Sequence, residues 1–147
     1  AKVPFLNTKE KFKIGKAVVL TEGGDITIVA SGHLVSKALD AAYELKNKNI
    51  QARVINLHTP KPIDRETVIK AARETGAVLT VEEHSVFGGV GSAVAEVLVE
   101  ECPVPMKMMG IRDEFGRSGS PDELFEYFGL TTADIVKETE ILIKRKK

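Results

Sequence analysis

Residues 81–94, with the sequence VEEHSVFGGVGSAV, carry the chain from a strand into a helix. The apolar run from Ala77 to Val81 predicts a buried strand, and a polar, glycine-rich loop follows it. From Val90 onward, apolar residues recur at the helical period. The stretch therefore predicts a helix N-terminus, with unpaired backbone N–H groups, at the carboxyl end of a strand.

Gly89 and Gly91 resemble the start of a dinucleotide-binding fingerprint. The third glycine of that fingerprint would fall at Val94, whose branched side chain obstructs the close helix–strand approach. Asp113 follows another predicted strand at roughly the distance expected for the acidic residue of the fingerprint. Two interpretations stay open, a tight turn without a ligand and an anion-binding turn, and the broken third glycine favours the first.

Composition narrows the classes of function. The chain has 147 residues, of which 43% are hydrophobic, and this fits one domain with its own core. Its 21 basic and 21 acidic residues balance, so neither nucleic acid nor an anionic membrane is indicated as a partner. Cys102 is the single cysteine, which excludes an internal disulfide and fits a reducing cytoplasm.

Outward from residues 81–94, predicted strands and helices alternate along the chain. Strands are predicted at residues 17–20, 26–30, 52–57, 77–81 and 106–111, with helices between most of them and two more after the last. The predicted fold class is a three-layer α/β/α sandwich with a mostly parallel sheet of about five strands. Residues 1–14 are predicted to be an N-terminal arm or linker, and residues 15–147 a single domain.

All three histidines follow predicted strands, at the sheet edge where open α/β folds place ligands. His33, His58 and His84, together with Glu83 and Asp113, would be the candidates for a metal or acid–base site. No two of them share a helical turn, and no nucleophile elbow or Walker loop is present. We therefore predict no catalytic, cofactor-binding or metal-binding residue in this chain.

Four segments resemble the C-terminal domain of transketolase, especially that of two-subunit transketolases. They include a Lys-Pro-Ile-Asp motif, a Glu-Glu-His motif followed by Gly-Gly-x-Gly, and an Asp-Glu-Phe-Gly-Arg-Ser-Gly loop, and they lie at residues 15–32, 53–64, 82–94 and 113–119. Deoxyxylulose-phosphate synthase and the beta subunits of 2-oxo acid dehydrogenases share this domain and stay open as alternatives. The resemblance implies a transketolase C-terminal-like fold.

The resemblance also implies a role in assembly. In this family two other domains hold thiamine diphosphate and Mg²⁺, while the third supports the dimer and packs on those domains. The Gly-Asp-Gly motif of the diphosphate site is absent from this sequence. The resemblance thus implies an inactive isolated chain, a homodimer, a cofactor-binding domain or subunit as partner, and a cytoplasmic enzyme of the pentose phosphate pathway that transfers two-carbon ketol groups.

Within this framework we expect residues 83–92 to form either a contact with a partner or an anion-binding turn. Phe87 is an apolar residue in a polar turn, which is typical of an interface anchor but equally of a residue buried in its own core. The alternative function, from a different class, is a regulatory module that binds a nucleotide or small anion at the helix start. The candidate residues are Glu83, His84, Phe87, Gly88, Gly89, Gly91 and Ser92.

Overall fold

A computed structural model of the chain describes residues 12–146. Its elements, in chain order, are β1 (Val18–Thr21), β2 (Ile26–Ala30), α1 (Leu34–Asn47), β3 (Ala52–Asn56), α2 (Arg65–Thr75), β4 (Val78–Ser85), α3 (Val90–Glu101), β5 (Met106–Ile111), α4 (Pro121–Tyr127) and α5 (Thr132–Ile143). Most of the predicted N-terminal arm lies outside the described residues, so its extent stays a prediction.

A five-stranded sheet in the order β1-β3-β2-β4-β5 forms the middle layer. The strands β3, β2, β4 and β5 are parallel, and β1 pairs antiparallel with β3. The predicted mostly parallel sheet is therefore confirmed. The chain runs from β2 outward to β3 and then crosses back over β2 to β4, and such a reversal opens a crevice at the carboxyl ends of the strands.

Each face of the sheet is covered by two helices. On one face α1 and α5 pack together and bury apolar residues of β2 and β4, among them Ile28, Leu79 and Val81. On the other face α2 and α3 pack over Val29 and Val78. The predicted three layers are thus present, with one apolar cluster on each side of the sheet.

The strand β4 is longer than the sequence pattern predicts. The apolar run predicts an end at Val81, and that boundary is wrong because β4 continues to Ser85. Its pairing with β5 is irregular there, since β4 advances from Val81 to Ser85 while β5 advances only from Met109 to Ile111. The extra residues form a bulge, which turns the end of β4 toward the start of α3.

The Lys-Pro-Ile-Asp motif ends in Asp64, which caps α2. The buried Asp64 carboxylate accepts hydrogen bonds from the N–H of Thr67 at 3.2 Å and from the N–H of Ala17 at 3.0 Å. Lys16 Nζ lies 3.5 Å from the same carboxylate. One side chain therefore joins the segment before β1 to the start of α2.

The ionised form of Asp64 is favoured over the protonated form, although the side chain is buried. Burial stabilises the protonated form, but the hydrogen bonds from Ala17 and Thr67 and the Lys16 ammonium outweigh it and lower the pKa of Asp64 below its usual range. Because the pKa of Asp64 is lower in the folded protein than in the unfolded chain, the ionised carboxylate stabilises the fold at pH values above the unfolded-chain pKa. That contribution disappears as the pH falls through the folded-state pKa.

We predict that Asp64→Asn lowers the free energy of unfolding at neutral pH by about 1–3 kcal/mol. Asparagine can still cap α2, but it has one acceptor oxygen instead of two, so one of the N–H groups of Ala17 and Thr67 loses its acceptor, and the attraction to Lys16 is lost as well. Urea unfolding followed by circular dichroism measures this loss. The difference between wild type and variant should begin to shrink below about pH 4, where aspartate in the unfolded chain becomes protonated, and its charge-dependent part should be lost below the lowered pKa of folded Asp64. A difference that stays constant down to acid pH would show that the charge of Asp64 does not matter.

Candidate functional site

Glu82 is the most buried charged residue at the carboxyl edge of the sheet, with an exposed fraction of 0%. Side chains of β4 alternate between the two faces of the sheet. Val78 packs in the cluster under α2 and α3, and Thr80 and Glu82 continue that row. The carboxylate of Glu82 therefore points at the first turn of α3.

The backbone at the start of α3 satisfies this carboxylate. Glu82 Oε2 accepts a hydrogen bond from the N–H of Val90 at 2.7 Å, and Oε1 accepts one from the N–H of Gly91 at 2.8 Å. His84 Nε2 lies 2.7 Å from Oε2 on the solvent side. A buried carboxylate is costly unless it is hydrogen-bonded, and a helix N-terminus supplies both donors and a favourable dipole. The N–H groups that the sequence leaves unpaired thus have an acceptor within the chain.

Three glycines make room for this arrangement. A Cβ on Gly89 would overlap Glu82 Oε2 and the carbonyl oxygen of Ser85, and a Cβ on Gly110 would lie 3.1 Å from Glu82 Cγ. A Cβ on Gly91 would lie 2.7 Å from Thr80 Oγ1, because α3 begins directly on the sheet. The glycines that resemble a nucleotide fingerprint therefore accommodate the protein's own carboxylate and its helix–sheet contact.

The turn between β4 and α3, residues 85–89, is held by hydrogen bonds to β5 and to the first turn of α3. Val86 is buried, and its N–H donates to the carbonyl of Ile111 at 3.1 Å. The Ser92 hydroxyl donates to the carbonyl of Val86 at 2.8 Å and accepts from the N–H of Gly88 at 2.9 Å. Gly88 has a φ of +72°, a left-handed conformation that favours glycine. The turn is a defined structure that presents the residue between Val86 and Gly88.

That residue is Phe87, and its side chain is 65% exposed. The alternative that Phe87 is buried in its own core is therefore wrong. Gly91, by contrast, is buried against the sheet. A substitution of Gly91 would disturb the packing of α3, so it does not probe a surface. Of the predicted residues, Phe87 and Gly88 face outward, while Gly89, Gly91 and Ser92 support them.

The remaining candidates for an acid–base or metal site lie apart from Glu82. His33 Nδ1 is 3.4 Å from Glu83 Oε1, across the crevice between β2 and β4. The ring of His58 packs on the ring of Phe12, with a centroid separation of 4.8 Å. Asp113 begins an exposed loop after β5. Within residues 12–146, no group of three histidine, cysteine or acidic side chains is arranged to hold a metal ion.

An open groove of about 1020 Å³ runs beside the turn, along the carboxyl edge of the sheet. Its walls come from the loop after β3, from the turn and from the first half of α3. Its apolar lining includes Leu57, Pro60, Ile63, Phe87, Val90 and Val97.

In the described part of the chain, none of the helices is long and apolar enough to span a bilayer.

A match to the family described as "Transketolase, C-terminal domain" extends over residues 15–135. The chain belongs to this family. The matched range includes all five strands of the sheet and the Glu82 site. The match ends within α5, so residues 136–147 lie beyond it.

Two of the similar proteins are named as transketolase subunits. The chain is 51% identical over 137 residues to the 6-deoxy-6-sulfo-D-fructose transketolase subunit SqwH of Clostridium sp. (strain MSTE9), covering 93% of this chain and 42% of that protein. It is 44% identical over 139 residues to a subunit of the apulose-4-phosphate transketolase of Phocaeicola vulgatus, covering 95% of this chain and 44% of that one. The chain therefore spans less than half the length of these relatives.

A solved structure described as "Split gene transketolase, inactive beta4 tetramer" shares the fold. Its TM-score to this chain is 0.94 at 48% sequence identity, over 99% of this chain and 48% of that one. The predicted transketolase C-terminal-like fold is confirmed by this similarity.

The sequence analysis gave Glu82 the wrong position. The sequence pattern places it in a loop, because the apolar run ends at Val81. A period of two from Val78 through Thr80 to Glu82 was the available signal, since it places the carboxylate on the α3 side of a longer strand. The reason for glycine at positions 89, 91 and 110 becomes clear only once Glu82 is placed on the strand.

We predict that Gly89→Ala lowers the free energy of unfolding by about 1–3 kcal/mol, because the added methyl group displaces the Glu82 carboxylate. Gly116→Ala is the matched control, since a Cβ there has nothing within 4 Å. Urea unfolding of both variants measures the difference. Equal stability of the two variants would contradict the close contact between Gly89 and the Glu82 carboxylate.

Proposed function

We propose that this chain is the C-terminal part of a two-chain transketolase and supports assembly of that enzyme in the cytoplasm. The holoenzyme would transfer a two-carbon ketol group between sugar phosphates. The match over residues 15–135 is the observation that carries this proposal, and the subunit names of the relatives favour a divided enzyme. The two names refer to different sugars, so the proposal covers the ketol transfer and no particular sugar phosphate.

Thiamine diphosphate and Mg²⁺ would be held by the cofactor-binding parts of the enzyme. Among residues 12–146, no three histidine, cysteine or acidic side chains are grouped so that they could hold a metal ion. The sequence also lacks the Gly-Asp-Gly motif of the diphosphate site. We therefore assign no catalytic step to a residue of this chain.

The turn at residues 85–89 is the proposed contact with the cofactor-binding part or with a second copy in the dimer. Phe87 supports this role, because a large exposed apolar residue beside an apolar groove is typical of an interface anchor. The alternative of an anion-binding module is less well supported. Its ligand would need the N–H groups of Val90 and Gly91, and Glu82 already occupies them.

We predict that the isolated chain folds but neither binds thiamine diphosphate nor transfers ketol groups. Calorimetric titration with thiamine diphosphate and Mg²⁺ should give no saturable heat. Addition of the cofactor-binding part should restore ketol transfer. Saturable binding of the cofactor by the isolated chain would contradict the proposal, and activity with pyruvate in place of a ketose phosphate would indicate deoxyxylulose-phosphate synthase instead.

We further predict that Phe87→Ala weakens assembly about tenfold while the stability of the domain is nearly unchanged, because an anchor lost from an interface costs binding but not folding. Tyr43→Ala is the matched control, since Tyr43 is an aromatic residue of α1 with a similar exposed fraction, 71% against 65%. Analytical ultracentrifugation of the assembled enzyme measures association. If Phe87→Ala and Tyr43→Ala associate equally well, the turn is not part of the interface.

A further inference from the structure

The position of Phe87 depends on a chain of contacts that begins at Glu82. The carboxylate binds the N–H groups of Val90 and Gly91, which fixes the first turn of α3 against the end of β4. Ser92 follows directly in that turn. Its hydroxyl bonds both to the carbonyl of Val86 and to the N–H of Gly88, the two neighbours of Phe87.

The geometry points to Glu82 as a positioning residue for assembly: through the first turn of α3 and Ser92, it holds Phe87 in the orientation that a partner binds. The inference rests on the proposed function, because it needs residues 85–89 to contact the cofactor-binding part. It adds a buried residue that touches no partner but determines the strength of that contact.

A carboxylate is required here because both of its oxygens accept a backbone N–H. Glutamine has the same size but only one acceptor oxygen, so one N–H at the start of α3 would face the NH₂ group. The buried donor left without an acceptor destabilises the local arrangement. The first turn of α3 would loosen, and the bonds of Ser92 to residues 86 and 88 would loosen with it.

The test uses the assembled enzyme, with ketol transfer measured over a series of protein concentrations. Glu82→Gln should raise the concentration at half-maximal activity about tenfold and leave the activity at saturating concentration unchanged. Phe87→Ala should do the same. The double variant should show no larger shift than the stronger single variant, because both changes act on one contact.

Thr131→Ala is the control for a general loss of stability. Thr131 caps α5, away from the turn, through the N–H of Asp134. It should leave the half-maximal concentration unchanged. A Glu82→Gln shift no larger than that of Thr131→Ala, or a double variant with additive shifts, would overturn the positioning role.

The outcomes also separate this inference from the proposed function. If Phe87→Ala shifts the half-maximal concentration and Glu82→Gln does not, the contact stands and the positioning role fails. If Phe87→Ala has no effect, the contact itself is wrong and the positioning role fails with it. Should Glu82→Gln fail to fold, Ser92→Ala interrupts the same chain of contacts further along. A shift with Ser92→Ala supports the role, and no shift overturns it.

Discussion

The carboxylate of Glu82 at the start of α3 is the interaction on which the carboxyl edge of this domain depends. It joins the end of a central strand to the helix that follows. A buried carboxylate needs donors, and the first N–H groups of a helix need acceptors. Here each group satisfies the other, with bonds of 2.7 and 2.8 Å. This pair fixes the first turn of α3 against the end of β4.

This interaction also explains a misleading feature of the sequence. Gly89 and Gly91 suggest a nucleotide-binding loop, because glycine lets a phosphate approach the backbone closely. In this domain an internal carboxylate takes the place of that phosphate. The same small residues and the same helix N-terminus are used, but the anion belongs to the protein. A glycine-rich turn after a strand therefore indicates that an anionic group approaches the backbone closely, but it does not show whether that group belongs to a ligand or to the protein.

Much of the fold could be predicted from the sequence, because alternating apolar segments determine a parallel sheet with helices on both faces. The two ends of α2 have local causes that a sequence displays, since Asp64 caps the first turn and Gly76 ends the helix in a left-handed conformation. The extent of β4 did not follow from the apolar pattern, because its last four residues are polar and only Glu82 among them is buried, against the start of α3. Whether Phe87 lies inside or outside was also undecided, since its exposure is set by the buried Val86 and the left-handed Gly88.

Amide hydrogen exchange of Val90 and Gly91, measured by NMR on the wild-type domain and on Glu82→Gln, tests the central interaction most directly. First-turn amides lack an acceptor within the helix and usually exchange fast. In the wild type both should be protected about as strongly as Ala93, which bonds to the carbonyl of Gly89 within the helix. In Glu82→Gln their protection should fall while that of Ala93 persists. Val90 and Gly91 amides that exchange in the wild type as fast as in an unstructured peptide would contradict the account.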